Sequence, residues 1–593
     1  MKSEIRNPAS PAGGPKSEKK WIVAERTDPD LIKHLLKLRG VEDQEIFLNP
    51  DFVSQQHDPF LMKGMRQAVD RLIEAAHKQE VIGIFADYDT DGTPGAALLL
   101  DGLRQLGLQT AVYIPTRSEG YGLSEQGLVA LKAANAGVVI TIDLGITANH
   151  EAEMAVTLGL DLIITDHHLV QPERYPKRAY AVINPKQADC PYPFKDLCGG
   201  GIAWKLLSAF LTQIEEFDPT LLQGRNPESI RRWALDLAAI STVCDMMPLV
   251  GENRLLAHYG LQVLRQTRRP GLKALFRLAR VDPERIGAGT IGFQIGPRIN
   301  APTRLAAEAY SSETVPGPQA SLALGLLVTS SVTEADFLAD QLEQYNLSRQ
   351  EQLEAVYQQA EARVVAEGLM NRKLIMLAGA DWPTGLVGLV AGRLMQKFGR
   401  PTIVLSLQGE EAVGSARSID GFHLLEALSH VGQNLKRFGG HARAAGLTIE
   451  RQHLELIYDQ LQSLADDRLS DEQLGPRLLI EAEIEAPDVT SATAALLSHL
   501  GPHGIGNPRP LFLLTAVRVL EVRVLGTLGQ HRKLRLQIFG AKAPISGIAF
   551  SWQGEADVFK VGQTVDLACY LDEHTWNGHT STQLEVVDAR LHG

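Results

Sequence analysis

Apolar residues recur at helical spacing through residues 67–77, at Val69, Leu72, Ile73 and Ala76, and then give way to the unbroken run VIGIF at 81–85. A period near 3.6 followed by a short β-branched run predicts a helix handing over to a buried strand. The alternation repeats. GVVITI (137–142), DLIIT (161–165) and AYAVIN (179–184) are further apolar runs separated by Ala/Leu-rich stretches of helix length. This order predicts βαβ units, hence a parallel sheet covered by helices on both faces.

Further along, residues 331–367 are polar, rich in Gln and Glu and free of proline, with Phe337, Leu338, Leu342, Tyr345 and Leu353 at near-helical intervals. One long connecting helix is expected there. A second α/β segment follows, with KLIML and TIVLSL as strands, LVGLVAGRLMQKF as the helix between them and the glycine-rich FGGHARAAG at its end. Beyond about residue 475 the pattern shortens to alternating runs such as FLLTAVRVLEVRVL, LRLQIF and ADVFKVGQTVDLACYL, which predict an all-β barrel or sandwich. The expected division is a flexible tail over 1–20, a parallel-sheet α/β domain with N-terminal helices over 21–330, a connecting helix over 331–369, a smaller α/β domain over 370–472 and a β-barrel over 473–593.

Composition narrows this picture little. The 593 residues are 44% hydrophobic and 22% charged, as in ordinary globular proteins. Four cysteines, with no CxxC pair, exclude a disulfide scaffold and a zinc finger, and fit a reducing cytoplasm. No apolar run approaches the ~20 residues that cross a bilayer, so no membrane association is expected. The net charge of −12 argues against a uniformly basic surface but permits a local one. Between residues 501 and 550 there are seven basic residues (Arg509, Arg518, Arg523, Arg532, Lys533, Arg535, Lys542) against one acid, Glu521.

The chemistry collects at strand ends. FADYDTDG follows the first strand and sets Asp87, Asp89 and Asp91 at alternate positions; TIDLG brings Asp143 after the next, and ITDHH brings Asp166, His167 and His168 after the third. A single acidic loop is usually a solvated turn. Three strand ends converging on carboxylates and imidazoles repel one another unless cations are present. Oxygen and imidazole donors suit Mn²⁺ or Mg²⁺, and two such ions suit phosphoryl chemistry. Asp245, in the otherwise apolar LDLAAISTVCDMMPL, completes the cage or caps something locally.

In this order DYDTDG, TIDLG, ITDHH and STVCDMMPL resemble the four motifs of the DHH phosphoesterase superfamily. IPTRSEGYGLS, INPKQADCPYPFKDLCGGGIAWKL, GENRLLAHYGL and IGPRINAPTRL narrow the resemblance to the RecJ family of single-strand-specific exonucleases. WPTGLVGLVAGRL, GSARSIDGFHLLEAL and FGGHARAAG are similar to the DHH-associated C-terminal domain, and GPHGIGNPRPLF to the lead-in to an OB-fold.

The resemblance implies metal ligation by Asp89, Asp91, Asp143, His167 and Asp245, with Asp143 or Asp245 bridging two ions. It implies supporting roles for Asp87 and Asp166, and His168 beside the scissile phosphate. Arg117, Arg298, Ser415, Arg417 and His441 are implied in the substrate groove and near the 5′ phosphate. Thr93-Pro94-Gly95, Leu144, Pro302-Thr303 and Pro383 depart from the family pattern without removing an implied ligand.

The implied activity is 5′→3′ hydrolysis of single-stranded DNA to 5′-mononucleotides in repair and recombination, by a monomer, with a single-strand binding protein and a helicase as partners. Phe512, Phe539, Phe550 and Trp552 are candidate stacking residues within the β domain. A phosphodiesterase for oligoribonucleotides or cyclic dinucleotides is the competing enzyme reading. A non-cleaving Cdc45-like scaffold is the competing binding reading, which the presence of every motif acid disfavours.

Overall fold

The strand after the first amphipathic helix is apolar at every position, and burial on both faces is what such a run requires. In the computed structural model, which describes residues 19–305, 310–312, 315–526, 529–552, 558–576 and 579–593, helix α1 (Met65–Lys78) leads into strand β1 (Val81–Ala86). Helix α2 (Gly92–Gln105), strand β2 (Thr110–Tyr113), helix α3 (Glu125–Ala133), strand β3 (Ala136–Ile142), strand β4 (Asp161–Thr165) and strand β5 (Ala181–Ile183) follow. Helices α4 (Gly199–Phe217) and α5 (Leu235–Cys244) come next, then strands β6 (Tyr310–Ser312) and β7 (Val315–Ala320).

The sheet order is β5-β4-β3-β1-β2-β7-β6, parallel throughout except for β6 against β7. Alternate residues enter two separate cores. Ile82, Ile84, Val138, Ile140 and Ile163 pack with α1, α2 and α4, whereas Phe85, Val139, Leu162 and Ile164 pack with α3. Helices on both faces are therefore observed. Strand β7, between β2 and the edge strand β6, has the sequence VPGPQA, and its pairing with β2 is confined to Tyr113 against Gln319. Its two prolines remove ladder donors, which keeps that pairing short.

Helix α6 (Val332–Ala366) is the expected long helix. The second sheet contains β8 (Ile375–Gly379), β9 (Thr402–Gln408), β10 (Glu411–Arg417), β11 (Leu435–Gly440) and β12 (Ala444–Glu450), with α7 (Val387–Phe398) between β8 and β9. Its order is β11-β12-β10-β9-β8, with only β8 and β9 parallel. The last sheet runs β13 (Phe512–Leu525), β14 (His531–Gln537), β15 (Ile545–Ala549), β17 (His579–Leu591) and β16 (Thr564–Trp576), and pairing of β13 with β16 closes it into a barrel.

The chain divides into two compact units, one of residues 45–348 and 501–508, the other of 1–44, 349–500 and 509–593. The strand Lys20–Val23 pairs in parallel with Arg477–Ile480, and Trp21 donates from its indole to Asp588. Four residues carry too little periodicity to announce so distant a partner. Conversely, the amide of Leu249 donates to the carbonyl of Ile505, 2.7 Å away, which ties residues 501–508 into the first unit. The expected tail lies outside the described residues except for Lys19 and Lys20. No helix among the described residues is long and apolar enough to cross a membrane.

Candidate metal centre

At three strand ends the hydrogen-bond ladder runs one residue past the strand, and that residue is an aspartate. The amide of Asp87 after β1 donates to Ile142, that of Asp143 after β3 to Thr165, and that of Asp166 after β4 to Ile183, at 3.1, 3.0 and 3.1 Å. Parallel pairing thus sets three acids in register along the carboxyl edge of the sheet, where open α/β sheets bind ligands. Asp143 holds φ at 64°, in the left-handed region. A strained backbone of this kind persists only where the surroundings impose it.

The N-terminus of α4 supplies part of that imposition. Gly199 and Gly200 donate their amides to Asp91 Oδ2 and Oδ1 at 2.6 and 2.7 Å, so a helix N-terminus faces a carboxylate. A Cβ on Gly199 would lie 2.5 Å from Asp143 Cβ, and one on Gly200 2.1 Å from Ser241 Oγ. Only glycine admits the approach. Asp89 Oδ1 accepts from the amides of Asp91 and Gly92 at 2.8 and 3.1 Å. Pro94 falls in the first turn of α2, where a missing N–H breaks no intrahelical bond.

Asp87, Asp91, Asp143, His167 and Asp245, from four different segments, are brought together with Asp89 and His168. Three sets of donor atoms lie within 4.8 Å of one another: Asp143, His167 and His168; Asp91, His167 and Asp245; Asp87, Asp89 and Asp143. His167 Nε2 is 3.1 Å from Asp143, 3.6 Å from Asp245 and 3.8 Å from Asp91. Asp166 stands behind the cluster, accepting from the amide of Ile146 at 2.8 Å and from His168 Nδ1 at 2.7 Å.

Burial and crowding of like charge govern the titration. Burial, then the neighbouring carboxylates, push Asp87 and Asp143 well above the usual carboxylate range and raise Asp245 to about 9. Burial lowers His167 to about 4. For His168 burial acts downward, but the bond to Asp166 and its charge outweigh it, so the imidazole is more basic than usual. In Asp166 the same pairing outweighs burial and holds the carboxylate below its ordinary range.

The cluster is short of partners. Asp87 Oδ1, Asp143 Oδ1, His167 Nδ1 and Asp245 Oδ2 are buried without a hydrogen bond. Buried polar atoms are nearly always satisfied. Carboxylate oxygens with imidazole nitrogens are the donor set of hard to borderline divalent cations, so the residues fit such ions.

Of the implied substrate residues, Arg117 lies 6.0 Å from the Tyr88 ring, and its charge acts on Asp87. Arg298 is held by an acid of α6. Its guanidinium grips Glu343 through Nε and Nη2, at 2.5 and 3.1 Å, and Gln294 through Nη1. In the other unit Ser415 and Arg417 lie together on β10, both 3.2 Å from where a Cβ on Gly388 would stand. Burial lowers the Arg417 pKa. His441 sits in the turn between β11 and β12, its amide donating to Ala444.

Three contributors escaped sequence reasoning. The Tyr121 hydroxyl lies 3.4 Å from both His168 Nε2 and the Asp143 carbonyl. Lys186 places its charge near His167 and Asp245. The Gly199 and Gly200 amides hold Asp91. Tyr121 and the glycines lie within quoted motifs, but their roles depend on contacts that no local spacing encodes.

Comparison with known proteins agrees with this architecture. Residues 81–242 match the N-terminal domain of the DHH family, 371–467 the DHHA1 domain and 480–588 the RecJ OB domain. The chain is 36% identical over 570 residues to the single-stranded-DNA-specific exonuclease RecJ of Bacillus subtilis, covering 95% of this chain and 68% of that one. It is 33% identical over 579 residues to the RecJ of Salmonella typhimurium, covering 94% and 96%. The crystal structure of Thermus thermophilus RecJ in complex with Mn²⁺ superposes with a TM-score of 0.77 at 26% identity, covering 97% of this chain and 80% of that one. The same protein in complex with Mg²⁺ gives 0.71 at 25%, covering 96% and 78%. With the three domains in this order and similarity along nearly the whole chain, the protein belongs to the RecJ family of single-stranded-DNA-specific exonucleases.

Proposed function

We propose that this protein is a divalent-cation-dependent exonuclease that shortens single-stranded DNA from its 5′ end, releasing 5′-mononucleotides in repair and recombination. The observation that carries the reading is the buried set of Asp and His donors, four of whose atoms lack hydrogen bonds, at the carboxyl edge of the parallel sheet. The relatives' named activity supplies the substrate.

Asp89, Asp91, Asp143, His167 and Asp245 would hold two Mn²⁺ or Mg²⁺ ions. Asp143, which belongs to two of the donor sets, suits the bridging position. Such ions, when bound, supply Lewis acidity toward a phosphate and acidify water. Asp87 holds its place beside the ligands through the ladder bond to Ile142. Asp166 orients His168 through Nδ1 and makes it more basic than usual, which leaves Nε2 to donate to the scissile phosphate or the leaving oxygen. Arg117 offers a planar fork to phosphate oxygens. Ser415, Arg417 and His441 would receive the 5′ phosphate. A helicase that exposes the strand and a single-strand binding protein that covers it are the partners this reaction calls for.

Digestion of a 5′-phosphorylated, 3′-labelled single strand tests the reading, beside a blunt duplex and an RNA strand, in Mn²⁺, Mg²⁺ or EDTA. Progressive shortening of the single-stranded DNA alone, abolished by EDTA, is expected. Binding without cutting in either metal, or a preference for short oligoribonucleotides, would overturn it.

A further inference from the structure

Strands β5, β4, β3 and β1 lie side by side, and the residue after each of the last three is an aspartate. After β5 stands Asn184, fully buried. An amide has nearly the shape of a carboxylate, but it carries no charge and donates as well as accepts. Asn184 uses both halves. Its Nδ2 donates to the backbone carbonyl of His168 at 2.9 Å, and its Oδ1 accepts from the amide of Lys186 at 2.8 Å. A carbonyl can only accept and an N–H only donate, so the two partners fix the direction of the side chain. Gln187, also buried, holds the same turn: its Nε2 donates to the carbonyls of Val182 and Asn184 at 3.0 and 3.2 Å, and its Oε1 accepts from the Tyr175 hydroxyl at 2.8 Å.

The consequence falls on His168. Its amide donates to Asp166 Oδ1 at 3.0 Å, its Nδ1 lies 2.7 Å from the same oxygen, and its carbonyl is held by Asn184. Nε2 is left without a backbone or carboxylate hydrogen bond among the described residues, 3.4 Å from the Tyr121 hydroxyl, on a side chain 38% exposed. Asp166 sets the rotation of the ring, and Asn184 sets the main chain from which the ring projects. A side chain anchored in this way is pre-organised to act through the one nitrogen left over.

We propose that Asn184 is a positioning residue for the reaction at the carboxylate cluster, pinning the main chain of His168 so that Nε2 keeps its aim. The inference rests on the function proposed above and deepens it by naming what holds the donor in place. The residue type follows from the two bonds. An aspartate would preserve the acceptor for Lys186 but turn an oxygen toward the His168 carbonyl oxygen, and it would add a further negative charge to a strand edge already crowded with acids. Alanine would remove the partner of both the His168 carbonyl and the Lys186 amide. Misplacing a reacting group by about 1 Å costs on the order of 10²-fold in rate, so a buried residue can set turnover through another.

The test is a double-mutant cycle between Asn184 and His168, read in Mn²⁺ on a 5′-phosphorylated single-stranded DNA and on the diribonucleotide pApA. Asn184→Asp is expected to lower kcat on the order of 10²-fold, with KM and the number of Mn²⁺ ions bound unchanged. In a His168→Ala background the same substitution should cost nothing further, because the group it positions is gone. Asn184→Ala gives the same cycle where a buried carboxylate blocks folding, and the same non-additive loss is expected of it. An asparagine that merely braces the fold would lower activity by equal factors in both backgrounds. That result, a rise in KM at constant kcat, or wild-type kcat in Asn184→Asp would overturn the inference. If pApA is cut and the strand is not, the exonuclease reading fails, and non-additive losses on pApA uphold the role of Asn184. If the strand is cut but the losses multiply, the exonuclease reading stands and the role of Asn184 fails. If wild type cuts neither, both fail.

Discussion

Two groups of buried charge lie within the same compact unit and differ in one respect. Lys205 and Glu252 are each 1% exposed and 2.6 Å apart. Glu252 also accepts from the Tyr192 hydroxyl at 2.5 Å and from the amide of His57 at 2.9 Å, so donors and acceptor are matched. The strand-end acids Asp87 and Asp143 are also buried but face other acids, and four polar atoms among them, Asp245 and His167 have no hydrogen bond. A satisfied buried network fixes structure, whereas an unsatisfied one of a single sign awaits a ligand. Burial alone does not separate the two; pairing does.

Removing one acid should break this contrast most sharply. Asp143→Ala is expected to lower turnover on single-stranded DNA on the order of 10³-fold or more, while leaving the metal-free protein as stable as before or more so, because a buried repulsion is relieved. A loss of folding together with activity would make Asp143 structural.

Glu252→Ala should do the opposite. Leaving Lys205 buried and unpaired is expected to cost about 3–5 kcal/mol of stability, read as a lower denaturation midpoint, with metal binding in the folded fraction unchanged.

The contrast also has a pH signature. Asp245 titrates near 9 when folded against about 3.9 when unfolded, so between these values the folded state binds more protons and its stability falls as pH rises. The metal-free protein should therefore melt progressively lower from about pH 5 to pH 9, and the increase in melting temperature on adding Mn²⁺ should grow over the same range. A metal effect independent of pH would contradict the assignment.

The arginines give the smallest effect. Arg298→Gln, which breaks the pair with Glu343, should lower stability by roughly 1–2 kcal/mol and leave strand affinity nearly unchanged. Arg117→Gln should do the reverse, weakening strand binding about tenfold, as filter binding at fixed salt would show.

Much of this contrast is legible in the sequence. The unbroken apolar runs mark β1, β3 and β4 because a strand covered on both faces has no polar side, and the acid after each run marks the edge where the ladder ends. Other features escape that logic. The prolines of β7 hide a strand whose pairing with β2 is confined to a single residue pair. Arg298 and Arg117 look alike along the chain, and the pairing of Arg298 with Glu343, on α6, is a contact that spacing does not encode. Tyr121, Lys186 and the paired glycines act through approaches set by the packing of α4 and the loops, which spacing does not encode.

Calorimetric titration of Mn²⁺ into the EDTA-stripped protein, at neutral pH in two buffers of different ionisation enthalpy, probes the unpaired acids themselves. Carboxylates that hold protons must release them when a cation takes their place. Binding of about two ions with net proton release, lost in Asp143→Ala, is the expected result. Absence of binding, or binding without proton release, would show that these buried acids are not the cation site.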